Sequence, residues 1–468
     1  MNIYQLFVRT FGNKNTAPLF DGDKSQNGCG TFANINDNAL ESLKSLGITH
    51  IWLTGVIRHS SMTAYPELGI KSTNPQITKG KAGSPYSIMD YYDIDPDLAV
   101  NPQNRMEEFE ETLNRIHEKG MKVIIDFIPN HLAREYKSLN KPYDVEEFGE
   151  YDNKNVSFAK DNNFYYCPNQ EFVIPTANSL IPSNPHTLIP SYPHSQESPA
   201  KASGNDVFSP CPSVNDWYDA VKLNYGVDYQ NDHTKHFDII PNTWYKMLNI
   251  MQYWCEKGVD GFRVDMAEMV PVEFWYWAIH ELRESHDAIM IAEIYQPHNY
   301  QPYICRGGFD YLYDKSGFYD HLRWISTSEG RGTPASALTS VWLSLGEFQS
   351  NMLNFLENHD EQRIASTFFL GHPERAFSSL YVSLFFNTAP FMIYFGQELG
   401  EDGMEHAGYS GPDGRTTIYD FWSLPSVRNY LNGINEGDEC KYLSDEQKAL
   451  LGKYRELMSL AMNTPSFR

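Results

Sequence analysis

Two acidic residues and an arginine lie within or at the end of apolar runs that are typical of buried strands. Arg263 and Asp265 are two positions apart in GFRVDM, and Glu293 lies in IMIAEIY. A charge in a buried strand is costly unless it is paired. Side chains at i and i+2 of a strand point to the same side, so we expect the Arg263 guanidinium to keep the Asp265 carboxylate ionised by lowering its pKa. Such a carboxylate suits a nucleophile, although a structural ion pair is an equally good interpretation of this segment alone.

The spacing of the two acids indicates neighbouring strand ends. Glu293 follows Asp265 by 28 positions, the length of about one strand-helix unit. Two carboxylates on adjacent strand ends suit glycoside hydrolysis, in which retaining enzymes hold the two groups about 5–5.5 Å apart. A single glutamate at a strand end is more often solvated or salt-bridged, so it is the pair that predicts catalysis.

Further polar residues follow other apolar runs. FLENHD places His359 beside Asp360, and DFIPNH supplies Asp126, Asn130 and His131. A lone histidine is usually a satisfied structural group. The convergence of two histidines and several acids at strand ends predicts a polar site.

The elements that would position these residues are eight short apolar runs, several of them separated by helical patterns. One such helix is predicted in NRMEEFEETLNRIHEKG, which ends on a glycine. Alternating strands and helices in this number predict an α/β fold, a (β/α)8 TIM barrel with its active site at the carboxyl ends of the strands. The predicted strands are residues 2–8, 50–56, 122–128, 261–266, 289–295, 309–314, 351–357 and 390–396.

The third and fourth predicted strands are separated by several times the length of an ordinary unit. The segment 132–236 is rich in Asn, Pro, Ser and Tyr, and it predicts a small irregular domain inserted at the catalytic face. Residues 1–131 would form the first part of the barrel with strands 1–3. Residues 237–468 would form the second part, with strands 4–8 and a final helix that begins at a capping box of Ser444 and Gln447.

The amino-acid composition limits the classes of function that are possible. A hydrophobic content of 41% and a charged content of 21% describe a globular protein. The net charge of −23 argues against nucleic acid or an anionic membrane as a partner, and it leaves a neutral substrate open. The amino terminus does not resemble a signal peptide, and no run approaches the roughly 20 apolar residues of a membrane span. Six scattered cysteines predict reduced thiols and a cytoplasmic location. The oligomeric state is left open.

The motifs, taken in order, resemble those of the α-amylase superfamily of retaining α-glucoside hydrolases and transferases. DFIPNH resembles the first signature of that family, GFRVDMAEM the second, IAEIY the third and FLENHD the fourth. GSPYSIMDYYDIDP, residues 83–96, and YFGQELG, residues 394–400, resemble further family segments. The resemblance covers nearly the whole chain, and it implies a (β/α)8 barrel whose insertion corresponds to the family's B domain.

The resemblance also implies roles for individual residues. Asp265 would be the nucleophile, Glu293 the general acid and base, and Asp360 the group that holds sugar hydroxyls in the transition state. Tyr86 would stack on the sugar ring at the cleavage point. The other residues expected to bind substrate are Asp126, His131, Arg263 and His359.

Two departures from the family pattern concern calcium, which many members hold between barrel and insertion. Asn130 resembles one of their ligands and is a possible ligand here, but Lys222 replaces the aspartate that commonly joins it. In DKSQNGCGT, which resembles an amino-terminal metal loop, only Asp23 is acidic. We therefore expect no required cofactor and do not favour calcium. We also expect the family's carboxy-terminal β-sandwich to be absent.

The sequence predicts a retaining glycosidase that hydrolyses α-glucosidic bonds, most simply the α-1,4 bonds of glucans or maltooligosaccharides. A transglycosylase with the same three acids is the alternative. A non-catalytic glucan binder would be expected to lack some of these acids, and a metal-dependent barrel hydrolase would need several histidine ligands. Endo or exo action is left open.

Overall fold

The barrel is closed by eight parallel strands. The computed structural model describes residues 1–175, 197–327, 333–404 and 412–464. Each strand pairs with its neighbours in chain order, and the first and last close the ring. The predicted (β/α)8 fold is thus confirmed. The barrel strands are β1 (Asn2–Phe7), β2 (His50–Thr54), β3 (Lys122–Phe127), β4 (Gly261–Val264), β5 (Ile289–Ala292), β6 (Tyr311–Tyr313), β7 (Met352–Phe355) and β8 (Phe391–Tyr394).

The longer helices surround this barrel. In the predicted helix after β2, Phe109, Leu113 and Ile116 are buried along one face, and the chain leaves the helix at Gly120, whose φ is +74°. The final helix begins at the predicted capping box. The helices are α1 (Asp37–Ser45), α2 (Arg105–Glu118), α3 (Asn242–Glu256), α4 (Val272–Arg283), α5 (Asp320–Ser326), α6 (Ala337–Leu345), α7 (Phe377–Phe385), α8 (Pro425–Asn435) and α9 (Asp445–Asn463).

The core has two layers, one between the barrel and the helices and one inside the barrel, and the side chains of β4 alternate between them. Phe262 and Val264 pack outward with the helix-facing hydrophobic cluster, whereas Arg263 is fully buried on the inner side. The register pairs Arg263 with Asp126 on β3 and with Ile291 on β5. This alternation is the one expected from the i, i+2 spacing of the charged residues.

The insertion after β3 contains short strand pairs. His131–Ala133 pairs antiparallel with Ala220–Lys222, so that His131 lies opposite Lys222. Tyr166–Cys167 pairs with Ala200–Lys201. Much of the Pro- and Ser-rich run between these pairs lies outside the described residues. A further pair, Ile57–His59 with Ile88–Ile94, lies between β2 and β3 and was not predicted.

No helix among the described residues combines the length and the apolar character needed to cross a bilayer.

Candidate active site

A cavity of about 240 Å³ lies at the carboxyl ends of the barrel strands. Its side chains come from the segments that follow β2, β4, β5, β7 and β8, and from the insertion. Six of the residues predicted from the sequence line it, namely Tyr86, His131, Asp265, Glu293, His359 and Asp360. The other two, Asp126 and Arg263, are buried close beside Asp265 and do not line the cavity.

One guanidinium holds three carboxylates in this site. Arg263 Nη1 lies 2.9 Å from Asp265 Oδ1 and 3.3 Å from Asp126 Oδ1, and Nη2 lies 2.8 Å from Glu293 Oε2. The Nε–H of Arg263 donates to the Tyr313 hydroxyl at 3.1 Å. Because all of these groups are buried, the arginine fixes the relative positions of the acids as well as neutralising part of their charge.

Two acids of this cluster, Asp265 and Asp126, have raised pKa values. Burial, followed by the charge of Glu293, raises the pKa of Asp265, and the opposing effect of Arg263 is smaller. Burial likewise raises the pKa of Asp126 to about 6 despite the nearby guanidinium. The expectation that Arg263 gives Asp265 a low pKa was therefore wrong in its net sign. The sequence revealed the paired cation but not the desolvation around it.

Glu293 is held at both of its oxygens. Its Oε2 accepts the backbone N–H of Met266 at 2.9 Å, and its Oε1 accepts a hydrogen bond from the Tyr295 hydroxyl. Met266 lies in the left-handed region with φ of +42°, which is uncommon for a residue with a side chain. This bend ends β4 two residues before the predicted boundary and turns the backbone N–H toward the glutamate.

His359 is neutral and has one defined tautomer. Burial, followed by the charge of Arg263, lowers its pKa to about 3. With the Gln5 amide donating to Nδ1 at 2.8 Å, Nε2 carries the proton and lies 2.6 Å from the Tyr86 hydroxyl oxygen. The Nε2 atom is also 3.2 Å from Asp360 Oδ2, so the ring can orient both side chains.

His131 marks the side of the cavity next to the insertion. Burial lowers its pKa to about 4, and its ring lies 5.3 Å from the ring of Trp217. Asp219 lies nearby in the insertion and raises the pKa of His131 in opposition to burial. The insertion thereby contributes a wall of the cavity, with His131, Trp217 and Asp219 among its lining residues.

The region expected to bind calcium in relatives is organised around Lys222. This lysine is buried, and its ammonium contacts Asn130 Oδ1, the Met269 carbonyl at 3.1 Å and Asp206 Oδ1 at 2.7 Å. These oxygens are of the kind that would ligate calcium. Because the ammonium already engages them, the residues present do not fit a divalent cation.

The segment that resembles an amino-terminal metal loop forms a helix start. Asp23 accepts hydrogen bonds from the Ser25 hydroxyl at 2.6 Å and from the Gln26 backbone N–H at 3.0 Å. Among the residues that the structure describes, no group of three or more His, Cys, Asp or Glu side chains could hold a metal ion. Asp23 therefore serves as a helix cap.

Several residues of the cavity were missed by sequence reasoning. Lys79, Trp217, Asp219, Tyr295 and Tyr419 line it. Tyr295 lies two positions after Glu293 and could have been inferred from the strand end. The others lie in irregular segments, where no periodicity indicates which side chains face the site.

The closed barrel, the insertion after β3 and the carboxylate pair directly after β4 and β5 define a class of barrel enzymes that act on sugars. A family model described as the catalytic domain of α-amylase matches residues 5–448. The chain belongs to this family, and the predicted glycoside hydrolase of the α-amylase type is thereby confirmed.

Individual relatives are distant. Alpha-amylase 3 of Dictyoglomus thermophilum is 23% identical, with 98% of this chain and 76% of that protein covered. An alpha-amylase of Streptomyces lividans is also 23% identical, and this chain covers 90% of its own length but only 45% of that relative. The solved structure of a maltogenic alpha-amylase from Thermotoga neapolitana shares the fold with a TM-score of 0.55 at 22% identity, covering 100% of this chain and 77% of that one.

Proposed function

We propose that this protein hydrolyses α-1,4-glucosidic bonds of glucans or maltooligosaccharides with retention of anomeric configuration. The observation that carries the proposal is the contact of both Asp265 and Glu293 with the guanidinium of Arg263, at 2.9 and 2.8 Å. Side chains held on one cation at neighbouring strand ends favour the close carboxylate pair of retaining enzymes.

In the first step Glu293 donates its proton to the glycosidic oxygen while Asp265 attacks the anomeric carbon. The bond between that carbon and the oxygen breaks, the leaving sugar departs as an alcohol, and a β-linked glycosyl ester forms on Asp265. Three carboxyl groups surround one guanidinium. This charge balance favours one retained proton in the cluster. The proposed step requires that proton on Glu293, with Asp265 ionised.

In the second step Glu293 acts as base. It takes a proton from water, the water oxygen bonds to the anomeric carbon, and the carboxylate of Asp265 is released. The product sugar has the α configuration, and Glu293 regains its proton for the next turnover.

The remaining predicted residues would bind the sugar. Asp360 is 30% exposed at the cavity and lies beside the Nε2–H of His359, so that it can accept hydrogen bonds from sugar hydroxyls. Tyr86 lies stacked with His359 at 5.3 Å between ring centroids and presents an aromatic surface. Transfer to a second sugar in place of water would use the same groups.

The experiment is hydrolysis of maltoheptaose followed by proton NMR during the first minutes. The proposal predicts that the new reducing end appears as the α anomer before mutarotation. Initial β anomer would contradict retention. Adding a sugar acceptor tests the transfer alternative, since longer products in place of hydrolysis would favour a transglycosylase. Asp265→Asn serves as the inactive control.

We further propose that Lys222 takes the place of a calcium ion. Its ammonium binds Asn130, Asp206 and the Met269 carbonyl, and one monovalent cation then joins barrel and insertion. Activity would require no metal.

We also propose a cytoplasmic location. All six cysteines are free of disulfides, which is usual in a reducing compartment. Fractionation of the source cells tests this, and activity in the culture medium would contradict it.

A further inference from the structure

One side of the cavity is bounded by two segments that contact each other, and the barrel order identifies which side it is. In the closed ring of eight strands, β5 lies opposite β1, and β1 is flanked by β2 and β8. Glu293 follows β5 and protonates the leaving sugar in the proposed reaction. The segments after β2 and β8 therefore face the opposite part of the substrate, which carries the non-reducing end.

These two segments are joined to each other. The Ala82 N–H donates to the Tyr419 carbonyl at 3.0 Å, and the buried Arg9 donates to the carbonyls of both Ala82 and Ile418, at 3.1 and 3.2 Å. A Cβ atom at Gly80 would come within 2.2 Å of the Tyr419 carbonyl oxygen, so the backbones are in close contact there. Such a wall leaves little freedom for a passage between the two segments.

An ion pair extends the wall to the insertion. Lys79, in the segment after β2, places its ammonium 3.2 Å from Asp219 Oδ1 and 5.9 Å from the ring centroid of Tyr419. All three residues line the cavity. The Asp219 side chain is 5% exposed and that of Lys79 is 33% exposed, so the pair lies at the edge of the cavity and spans from barrel to insertion.

We propose that the Lys79–Asp219 pair closes the non-reducing end of the substrate site, so that the enzyme removes one glucose unit at a time from chain ends. This inference rests on the proposed function. The cavity of about 240 Å³ is small beside the roughly 300–1,000 Å³ of common ligand pockets, in keeping with one sugar ring behind the cleavage point. The preferred substrates are short maltooligosaccharides, because a polymer offers few ends for its mass.

The test uses maltoheptaose and the same sugar with a 4,6-O-ethylidene group on its non-reducing terminal glucose, with products separated by chromatography. A closed end predicts that the free sugar yields glucose and maltohexaose first and that the blocked sugar is not cleaved. Equal cleavage of both sugars would overturn the closed end and leave the glycosidase proposal intact. Failure to cleave either sugar, or any other α-glucoside, would remove the proposed function and with it this inference.

Two variants test whether the Lys79–Asp219 pair closes the substrate site. In Lys79→Ala the cavity opens beside Asp219, and the blocked sugar, which the wild type should not cleave, should be cleaved at a measurable rate relative to the free sugar. The matched control is Lys81→Ala, since Lys81 lies in the same segment but its ammonium faces Asp21, 3.8 Å away. An unchanged ratio in a folded Lys79→Ala protein would overturn the role of the pair.

Discussion

Arg263 Nη1 lies 2.9 Å from Asp265 Oδ1 at the end of β4, two residues apart in sequence. The same guanidinium reaches Glu293 directly after β5, so one buried side chain fixes the spacing between the proposed nucleophile and the proposed acid. The arginine inside an apolar strand is therefore explained by the acids around it.

Replacing Arg263 with lysine should impair catalysis although the positive charge remains. A lysine ammonium cannot hold two carboxylates in a planar fork, so we expect kcat to fall by about 10² or more. The control is Arg283→Lys, because Arg283 pairs with Asp310 at 2.7 Å on a more exposed part of the barrel. An unchanged kcat in Arg263→Lys would show that the guanidinium does not position the acids.

The Glu293→Gln variant should separate the two steps. A glutamine cannot protonate the leaving oxygen, so activity should survive only on substrates with good leaving groups such as fluoride. Added azide needs no base and should accelerate breakdown of the glycosyl-enzyme. The retaining mechanism requires an α-glycosyl azide, and detection of the β product by NMR would count against it.

Chelation should leave the enzyme unchanged. Since the Lys222 ammonium already binds the oxygens available to a cation, prolonged EDTA treatment should alter neither activity nor Tm. A loss of Tm that calcium restores would argue for a metal site.

Removal of the Lys222 ammonium should lower the stability of the folded protein. Lys222→Ala leaves buried oxygens of Asn130 and Met269 without this donor, and it should lower Tm by several degrees. The control is Lys235→Ala, whose exposed ammonium pairs with Glu273 at 2.9 Å. Equal Tm values for the two variants would contradict the structural role of Lys222.

Glu398 should make stability fall as pH rises. Burial raises its pKa to about 7, whereas the unfolded chain releases this proton near pH 4.5. Between these two values the folded state binds more protons than the unfolded state. The stabilisation that Glu398 gives the folded state is therefore lost as pH rises through about 7. The loss of stability is about 3.5 kcal/mol at 1.4 kcal/mol per pH unit.

The measurement compares Tm of the wild type and Glu398→Gln at pH 5 and pH 8. Glutamine keeps an oxygen acceptor for the Tyr4 hydroxyl, which donates to Glu398 Oε1 at 2.7 Å. The variant should gain stability relative to wild type at the higher pH. A constant difference between the two proteins would show that Glu398 is ionised across this range.

The sequence predicted those parts of the molecule in which apolar side chains recur with the period of a strand or a helix. Each of the eight predicted ranges contains a barrel strand that is shorter than predicted, and the i, i+2 rule placed Arg263 inward and Phe262 outward. The boundary at Met266 was misplaced, because a left-handed residue ends the strand and no local pattern marks it.

The site residues that come directly after a strand were predicted from the sequence. Asp265 and Glu293 are at strand ends, whereas Lys79, Asp219 and Tyr419 converge from three irregular segments. Their proximity depends on long-range packing. The pKa of Asp265 was also misjudged, since the extent of burial is a property of the whole fold.

The most direct test of the central claim is to trap the sugar on Asp265. 5-Fluoro-α-glucosyl fluoride should slow both steps by destabilising the oxocarbenium-like transition state, so that the glycosyl-enzyme accumulates. We predict that mass spectrometry of a protease digest finds one fluoroglucosyl group on the peptide containing Asp265, and none in Asp265→Asn. Turnover without a covalent adduct, or an adduct on another carboxylate, would contradict the assignment of Asp265 as the nucleophile.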